Sequence, residues 1–461
     1  MRYVDPPPLI EEPNVWIPGA DGTRLAARIW RPADSKPVPA ILEYIPYRKR
    51  DGTVARDTVT HPHLVGRGYA AVRVDIRGSG ESDGVLTDEY LSSELEDGVA
   101  IIEWIASQPW CDGNVGMVGI SWGGFNGLQV AALQPEALKA VITLCSTDDR
   151  YADDIHRMGG AVLLDELSWS AVMFALNTLP PDPELVGERW RHMWMERLDG
   201  SGFWLDTWLR HQRRDGFFRH GSVCEDYTAI RVPVYAVGGW ADGYSNAIFR
   251  LMEHLDVPRK GLIGPWVHAY PHLARPGPAI DFVAEMARWW DHWLKGRDTG
   301  IMDEPMLRTW MQDPVAPAAD HEYRPGRWVA EPAWPSPNVE DRAVGLDSGG
   351  SLGEPGEGVV RVATPLWVGR HAGKWCAYGH GPDQPGDQRT EDAGSVTFET
   401  PPLDGPVEIL GAPVAEITVR ADRPVAQIVA RLCAVDPSGS STRVSYGVLN
   451  LTHRESHAEP A

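Results

Sequence analysis

Three residues of this chain have the types and the order that acyl-transfer chemistry requires. The first is Ser121, in Gly119-Ile120-Ser121-Trp122-Gly123. A β-leaning run from Val115 to Ile120 precedes it, and a helix-like run from Gly127 to Leu133 follows. A serine on such a strand-to-helix turn has a strained backbone and an exposed Oγ. The glycines on either side let strand and helix pass without a Cβ clash. The N–H of Trp122 would open the helix and point at whatever Ser121 attacks. In a chain with 47 glycines such a motif also arises as an ordinary glycine-rich turn, so it needs partners. A serine nucleophile needs a base, and the base needs an orienting carboxylate. Asp242 directly follows the apolar run 232–240, and His268 follows the run 260–266. Both therefore fall at strand ends, on the edge that carries Ser121, in the order serine, acid, histidine. A neutral imidazole in this role predicts a kcat/KM that rises through about pH 6–7.

Other residues compete for these roles. His272, four residues beyond His268, is the rival base, and Asp242 could be a turn residue before Gly243. His254 lies in a helix pattern and reads as a surface residue. His61 and His63 could pair as a metal site, but no ligand set accompanies them, and His61-Pro62-His63 reads as a polar loop. Asp75-Ile76-Arg77-Gly78-Ser79-Gly80-Glu81-Ser82-Asp83-Gly84 is a polar glycine loop without the Gly-Lys-Ser/Thr or G-x-G-x-x-G of a phosphate site.

The elements that must position these residues alternate along the chain. Residues 14–31 read as a hairpin around Asp21-Gly22. Val38–Tyr44 and Ala70–Asp75 read as buried strands, and Leu64–Tyr69 as a helix end. Glu94–Ser107 carries Leu95, Val99, Ile102 and Ile105 on one helical face. Ala140–Cys145 is a further strand. This alternation predicts a mainly parallel sheet with helices on both faces. It stops at about Ser146. From there to about Ala229 the pattern is helical and rich in tryptophan (Trp169, Trp190, Trp194, Trp204, Trp208), which predicts a cap over Ser121 or, failing that, a remote helical subdomain. Strand and helix resume from 230 to 300, ending in a helix over Ile280–Leu294 with Lys295-Gly296 as its cap. Beyond residue 300, Pro, Gly and Asp become frequent. β-leaning pieces recur at 359–363, 395–399, 415–420, 428–434 and 443–449, which predicts an all-β sandwich.

Composition limits the alternatives. At 461 residues, two or three domains are expected. The net charge of −21 argues against nucleic acid and anionic membrane as partners. Cys111, Cys145, Cys224, Cys376 and Cys433 are odd in number, widely spaced and free of C-x-x-C, the pattern of a reduced cytoplasmic protein. Met1 to Pro8 contains no apolar core of a signal peptide.

At several stretches the chain resembles a known family. Pro46-Tyr47-Arg48-Lys49, Asp75-Ile76-Arg77-Gly78-Ser79-Gly80, Gly116 to Gly124, Gly239-Trp240-Ala241-Asp242-Gly243, Ile263 to His268 and Trp289 to Gly296 are similar to the CocE/NonD hydrolases. That group contains cocaine esterase, the α-amino-acid ester hydrolases and the S15 Xaa-Pro dipeptidyl-peptidases. Gly447 to Arg454 fits as well, so the likeness covers nearly the whole chain. It implies an α/β-hydrolase domain over 1–145 and 230–300, a helical cap over 146–229 and a jelly-roll-like β domain over 301–461. It also implies Ser121 as nucleophile, Asp242 as orienter, His268 as base, and Tyr47 as an oxyanion donor beside the Trp122 N–H. The family's jelly roll usually continues beyond this point, so the β domain is expected to be incomplete, with open edges and exposed apolar surface.

The resulting expectation is a serine hydrolase that cleaves ester or amide acyl bonds without metal or cofactor. Its partners would be a small ester, an amide or a short peptide, and a homo-oligomer is compatible with the reading. An Xaa-Pro peptidase needs an acidic subsite for a free amine, which Asp148, Asp149, Asp153 and Asp154 could supply. An esterase needs an apolar acyl pocket, which the cap tryptophans suit. The sequence leaves the two open. A non-catalytic binding protein on the same scaffold is the alternative from another class.

Overall fold

The computed structural model describes residues 8–34 and 36–461. Most of the N-terminal stretch read for a signal peptide lies outside the described residues. The expected hairpin forms as β1 (Leu9–Pro18) and β2 (Arg24–Pro32), paired antiparallel, with Gly22 at φ 85° supplying the left-handed turn position. Next come β3 (Val38–Ile45), α1 (Val54–Val65), β4 (Ala70–Asp75), α2 (Ser92–Ala106), β5 (Cys111–Ile120), α3 (Trp122–Ala132) and β6 (Leu138–Leu144). β3 and β4 are buried almost throughout, as strands covered on both faces must be. The His61-Pro62-His63 stretch, expected as a loop, lies inside α1, where His61 is buried and stacks on Trp30 at 4.7 Å. That stacking repays the helical placement of a histidine next to a proline.

From Cys145 to about 233 the chain leaves the sheet. It forms the two-residue strands β7 (Arg157–Met158) and β8 (Ala161–Val162), then α4 (Asp165–Asn177), α5 (Pro183–Val186), α6 (Trp190–Gly200), α7 (Leu205–Arg210) and α8 (Gly216–Arg219). It re-enters with β9 (Val234–Gly239), α9 (Ser245–His254), β10 (Arg259–Gly264) and α10 (Phe282–Trp293).

The sheet then continues past residue 300, where the sequence reading began a separate β domain. β11 (Leu307–Gln312) pairs parallel with β10, and β12 (Gly326–Glu331) closes the edge antiparallel to β11. The ten strands lie in the order β1-β2-β4-β3-β5-β6-β9-β10-β11-β12, with the run from β4 to β11 parallel. Helices cover both faces. Gly116 and Gly119 have opposite parity on β5, and a Cβ on the first would meet Trp290 of α10, on the second Gly123 of α3.

Beyond the sheet stand the short pair β13 (Gly345–Leu346) and β14 (Leu352–Gly353), α11 (Arg389–Ala393), and the hairpin β15 (Gln427–Val435) with β16 (Ser441–Asn450). This is the separate C-terminal β region, with its ladders confined to two pairs. The pieces at 359–363 and 415–420 take no regular secondary structure, and 395–399 contributes a single bridge, from Glu399 to Ser351. An extended segment becomes a strand only where a neighbour's N–H and C=O groups face it. Val359, Leu366 and Val414 stand exposed here. No helix among the described residues is long and apolar enough to cross a membrane.

Candidate active site

β5 and α3 meet at Ser121, which has φ 57° and ψ −124°, a conformation that non-glycine residues rarely adopt. Its carbonyl accepts the N–H groups of Gly124 and Phe125 at 2.7 and 3.0 Å, so the strained residue is locked as the helix cap. A Cβ on Gly119 would lie 2.4 Å from the backbone carbonyl carbon of Gly123, hence the glycine two residues before the serine. Beneath the turn, Trp122 is buried and its Nε1–H donates to Glu94 at 2.6 Å. Burial pushes the Glu94 carboxyl up to about 8, against the opposing bonds from Trp122 and Asn126.

Asp242 follows β9 and His268 follows β10, neighbours in the same parallel stretch of sheet. His268 Nδ1 bonds Asp242 Oδ1 at 2.9 Å, with both side chains almost fully buried. Burial works against the imidazolium. The neighbouring Cys376 and Asp242 groups work for it and prevail, holding His268 well above its usual value. Among the described residues no hydrogen bond joins Ser121 Oγ to His268, a contact that is often long in resting enzymes. His272, the rival base, stacks on Phe282 instead, with both ring nitrogens buried and unpartnered. Burial lowers its pKa to about 4.

Tyr47 lies just beyond β3, on a bend held from several sides. Ser79 Oγ donates to the Pro46 carbonyl, and the Lys49 N–H donates to Asp75 at 2.8 Å. The buried Lys49 ammonium pairs with Glu81 at 2.7 Å. The glycine loop after β4 thus serves as the footing of this bend. The Tyr47 hydroxyl is buried with no partner at ordinary hydrogen-bond length. Burial raises its pKa well above the usual phenol value, and the Ser121 hydroxyl offsets part of that shift. Tyr44, the other phenol nearby, is turned away and donates to the Glu94 carbonyl at 3.2 Å. Trp122 is the first residue of α3, so its N–H has no acceptor within the helix.

Helices of the segment after β6 pack against these groups. Trp169 meets the Tyr47 ring edge-on at 6.1 Å, Trp204 lies 6.3 Å from Trp122, and Arg48 donates to the Pro180 carbonyl at 3.0 Å. The acidic stretch considered as an amine subsite is mostly engaged. Asp148 and Asp153 clasp Arg250, and Asp149 caps the N–H groups of Tyr151 and Ala152. Asp154 accepts from Tyr244 at 3.0 Å and leaves Oδ2 buried and unpartnered.

The sequence reading missed Trp375–Tyr378, in the segment after β14. The Ala377 carbonyl accepts the His268 N–H at 2.8 Å, Tyr378 lies edge-on to the His268 ring at 5.2 Å, and Trp375 packs on Tyr244 at 5.1 Å. Cys376 Sγ sits 3.8 Å from Asp242 Oδ1. Only the surplus of aromatic residues around a cysteine marks this stretch, and no motif ties it to the site.

A strained serine elbow, with a histidine–aspartate pair at the same end of a parallel sheet, defines a serine hydrolase of the α/β-hydrolase type. Comparison with known proteins then places the chain: it belongs to the S15 family of X-Pro dipeptidyl-peptidases, whose model matches residues 21–270. The X-Pro dipeptidyl-peptidase C-terminal non-catalytic domain matches residues 299–461. Cocaine esterase of a Rhodococcus species is 25% identical over 495 residues, covering 97% of this chain and 84% of that protein. An α-amino acid ester hydrolase superposes with a TM-score of 0.72 at 19% identity, over 100% of this chain and 85% of that one. A CocE/NonD family hydrolase from Staphylococcus aureus gives 0.61 at 20% identity, over 75% of this chain and 60% of that one. At these identities the two solved structures speak for the fold.

Proposed function

We propose that this chain hydrolyses carboxylic esters with apolar acyl groups through an acyl-enzyme on Ser121. The observation that carries the reading is the His268–Asp242 bond of 2.9 Å at the sheet edge that presents the Ser121 elbow. In this reading His268 Nε2 takes the Ser121 proton while Asp242 holds Nδ1–H and steadies the imidazolium. Ser121 Oγ attacks the carbonyl, and the oxyanion forms against the Tyr47 hydroxyl and the Trp122 N–H. His268 passes its proton to the departing alkoxide. Water, deprotonated by His268, then releases the acid. The helices between β6 and β9 act as the cap, and Trp169, set against Tyr47, supplies an apolar wall to the acyl site.

The acidic stretch bears on substrate choice. Asp148 and Asp153 both hold Arg250, so neither carboxylate is free to receive a substrate amine. A second reading, an Xaa-Pro dipeptidyl-peptidase, is favoured by one observation, the unpartnered Asp154 Oδ2. Parallel assays with p-nitrophenyl acyl esters and Xaa-Pro p-nitroanilides separate the two. The ester reading expects turnover of the esters, abolished in Ser121→Ala, and little release from the anilides. Preferential cleavage of the anilides would replace it with the peptidase reading.

A further inference from the structure

Behind His268 the site contains chemistry that acyl transfer does not use. One donor atom each from Cys145, Asp242 and His268 lie within 4.8 Å of one another. Cys376 brings a second sulfur to 3.8 Å from Asp242 Oδ1. Both cysteines are free and buried, at 3% and 4% exposure. Asp242 Oδ2 is buried without a partner.

Two other buried groups bring a histidine and two carboxylates equally close, and in both an arginine already pairs with a carboxylate. Arg56 pairs with Glu43 and Arg73 with Asp57 in the group that holds His61, and Arg150 pairs with Glu89 in the group that holds Asp154 and His156. Among the described residues, no lysine or arginine pairs with Asp242. Its neighbours are an imidazole and two thiols.

We propose that Cys145, Cys376, Asp242 and His268 form a site for a thiophilic divalent cation, of which Zn2+ is the natural candidate, and that its occupation shuts off hydrolysis. Sulfur, nitrogen and one carboxylate oxygen are the donor set that a borderline-soft ion selects over Mg2+ or Ca2+. A tetrahedral ion with Zn–S of about 2.3 Å and Zn–N of about 2.0 Å spaces its donors roughly 3.3–3.8 Å apart. The Cys376–Asp242 separation already matches, the His268–Asp242 pair must open from its 2.9 Å hydrogen bond to admit the ion, and the two sulfurs must close in around it. On binding, each thiol gives up its proton to solvent and the sulfur lone pair bonds the ion. The ion takes a nitrogen of His268 and an oxygen of Asp242, so the pair can no longer accept the Ser121 proton. Because both thiols are buried, uptake requires the Trp375–Tyr378 segment to open, and inhibition sets in slowly. The inhibition half of this proposal rests on His268 as the base. The binding half does not.

The test uses the full chain in two assays. In the first, ester hydrolysis is followed after incubation with buffered free Zn2+, and then after EDTA. The expected result is a slow loss of activity that EDTA reverses. Measured against its own zinc-free rate, each of Cys376→Ala and Cys145→Ala should need at least tenfold more Zn2+ for half-inhibition. Cys224→Ser and Cys433→Ser, whose thiols lie elsewhere, should respond like the parent. In the second, Cd2+ is titrated into the Ser121→Ala chain, and the ultraviolet thiolate-to-metal band is recorded. One equivalent should give a two-thiolate band, halved or lost when Cys376 or Cys145 is also removed. This readout needs no activity. A band without inhibition would leave the ion site standing and overturn its regulatory role. No saturable band, or a band and inhibition indifferent to Cys145 and Cys376, would overturn the site itself. If the cysteine variants fail to fold, protection of exactly two thiols in the Ser121→Ala chain from alkylation by stoichiometric Cd2+ decides the same question.

Discussion

Replacing Tyr47 by Phe should separate stability from catalysis. The Tyr47 hydroxyl is buried and unpartnered in the resting protein. The Ser121 hydroxyl faces it but not at ordinary hydrogen-bond length, so the phenol contributes little to the resting fold. Phe keeps the ring against Trp169 and removes only the hydroxyl, so the variant should melt at the parent's temperature or above it. In the transition state the phenol matters more. An oxyanion at Ser121 supplies the missing acceptor, and loss of one such donor typically costs on the order of a hundred- to a thousandfold in kcat, about 3–4 kcal/mol. KM should change little, because the neutral carbonyl of bound ester gains less from the phenol than the oxyanion does. Tyr44→Phe is the control. It removes a bond to the Glu94 carbonyl at 3.2 Å, so it should cost about 0.5–1.5 kcal/mol of stability and leave kcat near the parent value. The assay is kcat, KM and melting temperature for both variants with one p-nitrophenyl ester. A Tyr47→Phe enzyme with normal kcat would refute the reasoning, and so would a selective loss of kcat in Tyr44→Phe.

Four further outcomes follow from the same structure. His268 must be neutral to act as base, and its pKa is held above the ordinary 6.5, so kcat/KM should be low at acid pH and rise on the alkaline side of 6.5; a profile flat from pH 6 to 9 would contradict this. Asp242→Asn should lower kcat by roughly 10⁴ and move that limb to lower pH, both readable in one pH–rate series. Gly119→Ala would set a Cβ 2.4 Å from the Gly123 backbone, so its denaturation midpoint and its activity should both fall, and a variant as stable and active as the parent would refute the close crossing. Burial pushes Glu94 up to about 8 from an ordinary 4.5, so the unfolded chain loses its proton first and stability falls as pH rises between those values. Glu94→Gln stays neutral and still accepts from Trp122, so its melting temperature should match the parent at pH 4.5 and exceed it at pH 8; an equal offset at both would remove Glu94 from the account.

What could be read in advance was what depends on local pattern. The elbow was legible because Gly119, Ser121 and Gly123 sit where an apolar strand becomes a helix, and φ 57° at Ser121 is what that spacing demands. Asp242 and His268 were legible because each directly follows a short apolar strand. Tyr47 came only through family resemblance, since its orientation depends on Lys49, Asp75, Ser79 and Glu81, all non-local. The raised pKa of His268 could not be read, because Cys376 and Asp242, which outweigh the lowering by burial, lie far from it in sequence. The extension of the sheet by β11 and β12 was missed for a similar reason. Leu307 and Thr309 are fully buried by their register against β10, but the prolines and glycines around them read as loop. His61 was read as part of a polar loop, and its burial inside α1 against Trp30 is a tertiary contact that the local sequence does not show.

The central claim is that Ser121 is a nucleophile activated by His268. The most direct test is intact-protein mass spectrometry after exposure to a fluorophosphonate, followed by peptide mapping. The account predicts a single adduct on the peptide that carries Ser121, absent in Ser121→Ala and formed far more slowly in His268→Ala. No adduct on the folded parent protein, or an adduct that persists in Ser121→Ala, would contradict it.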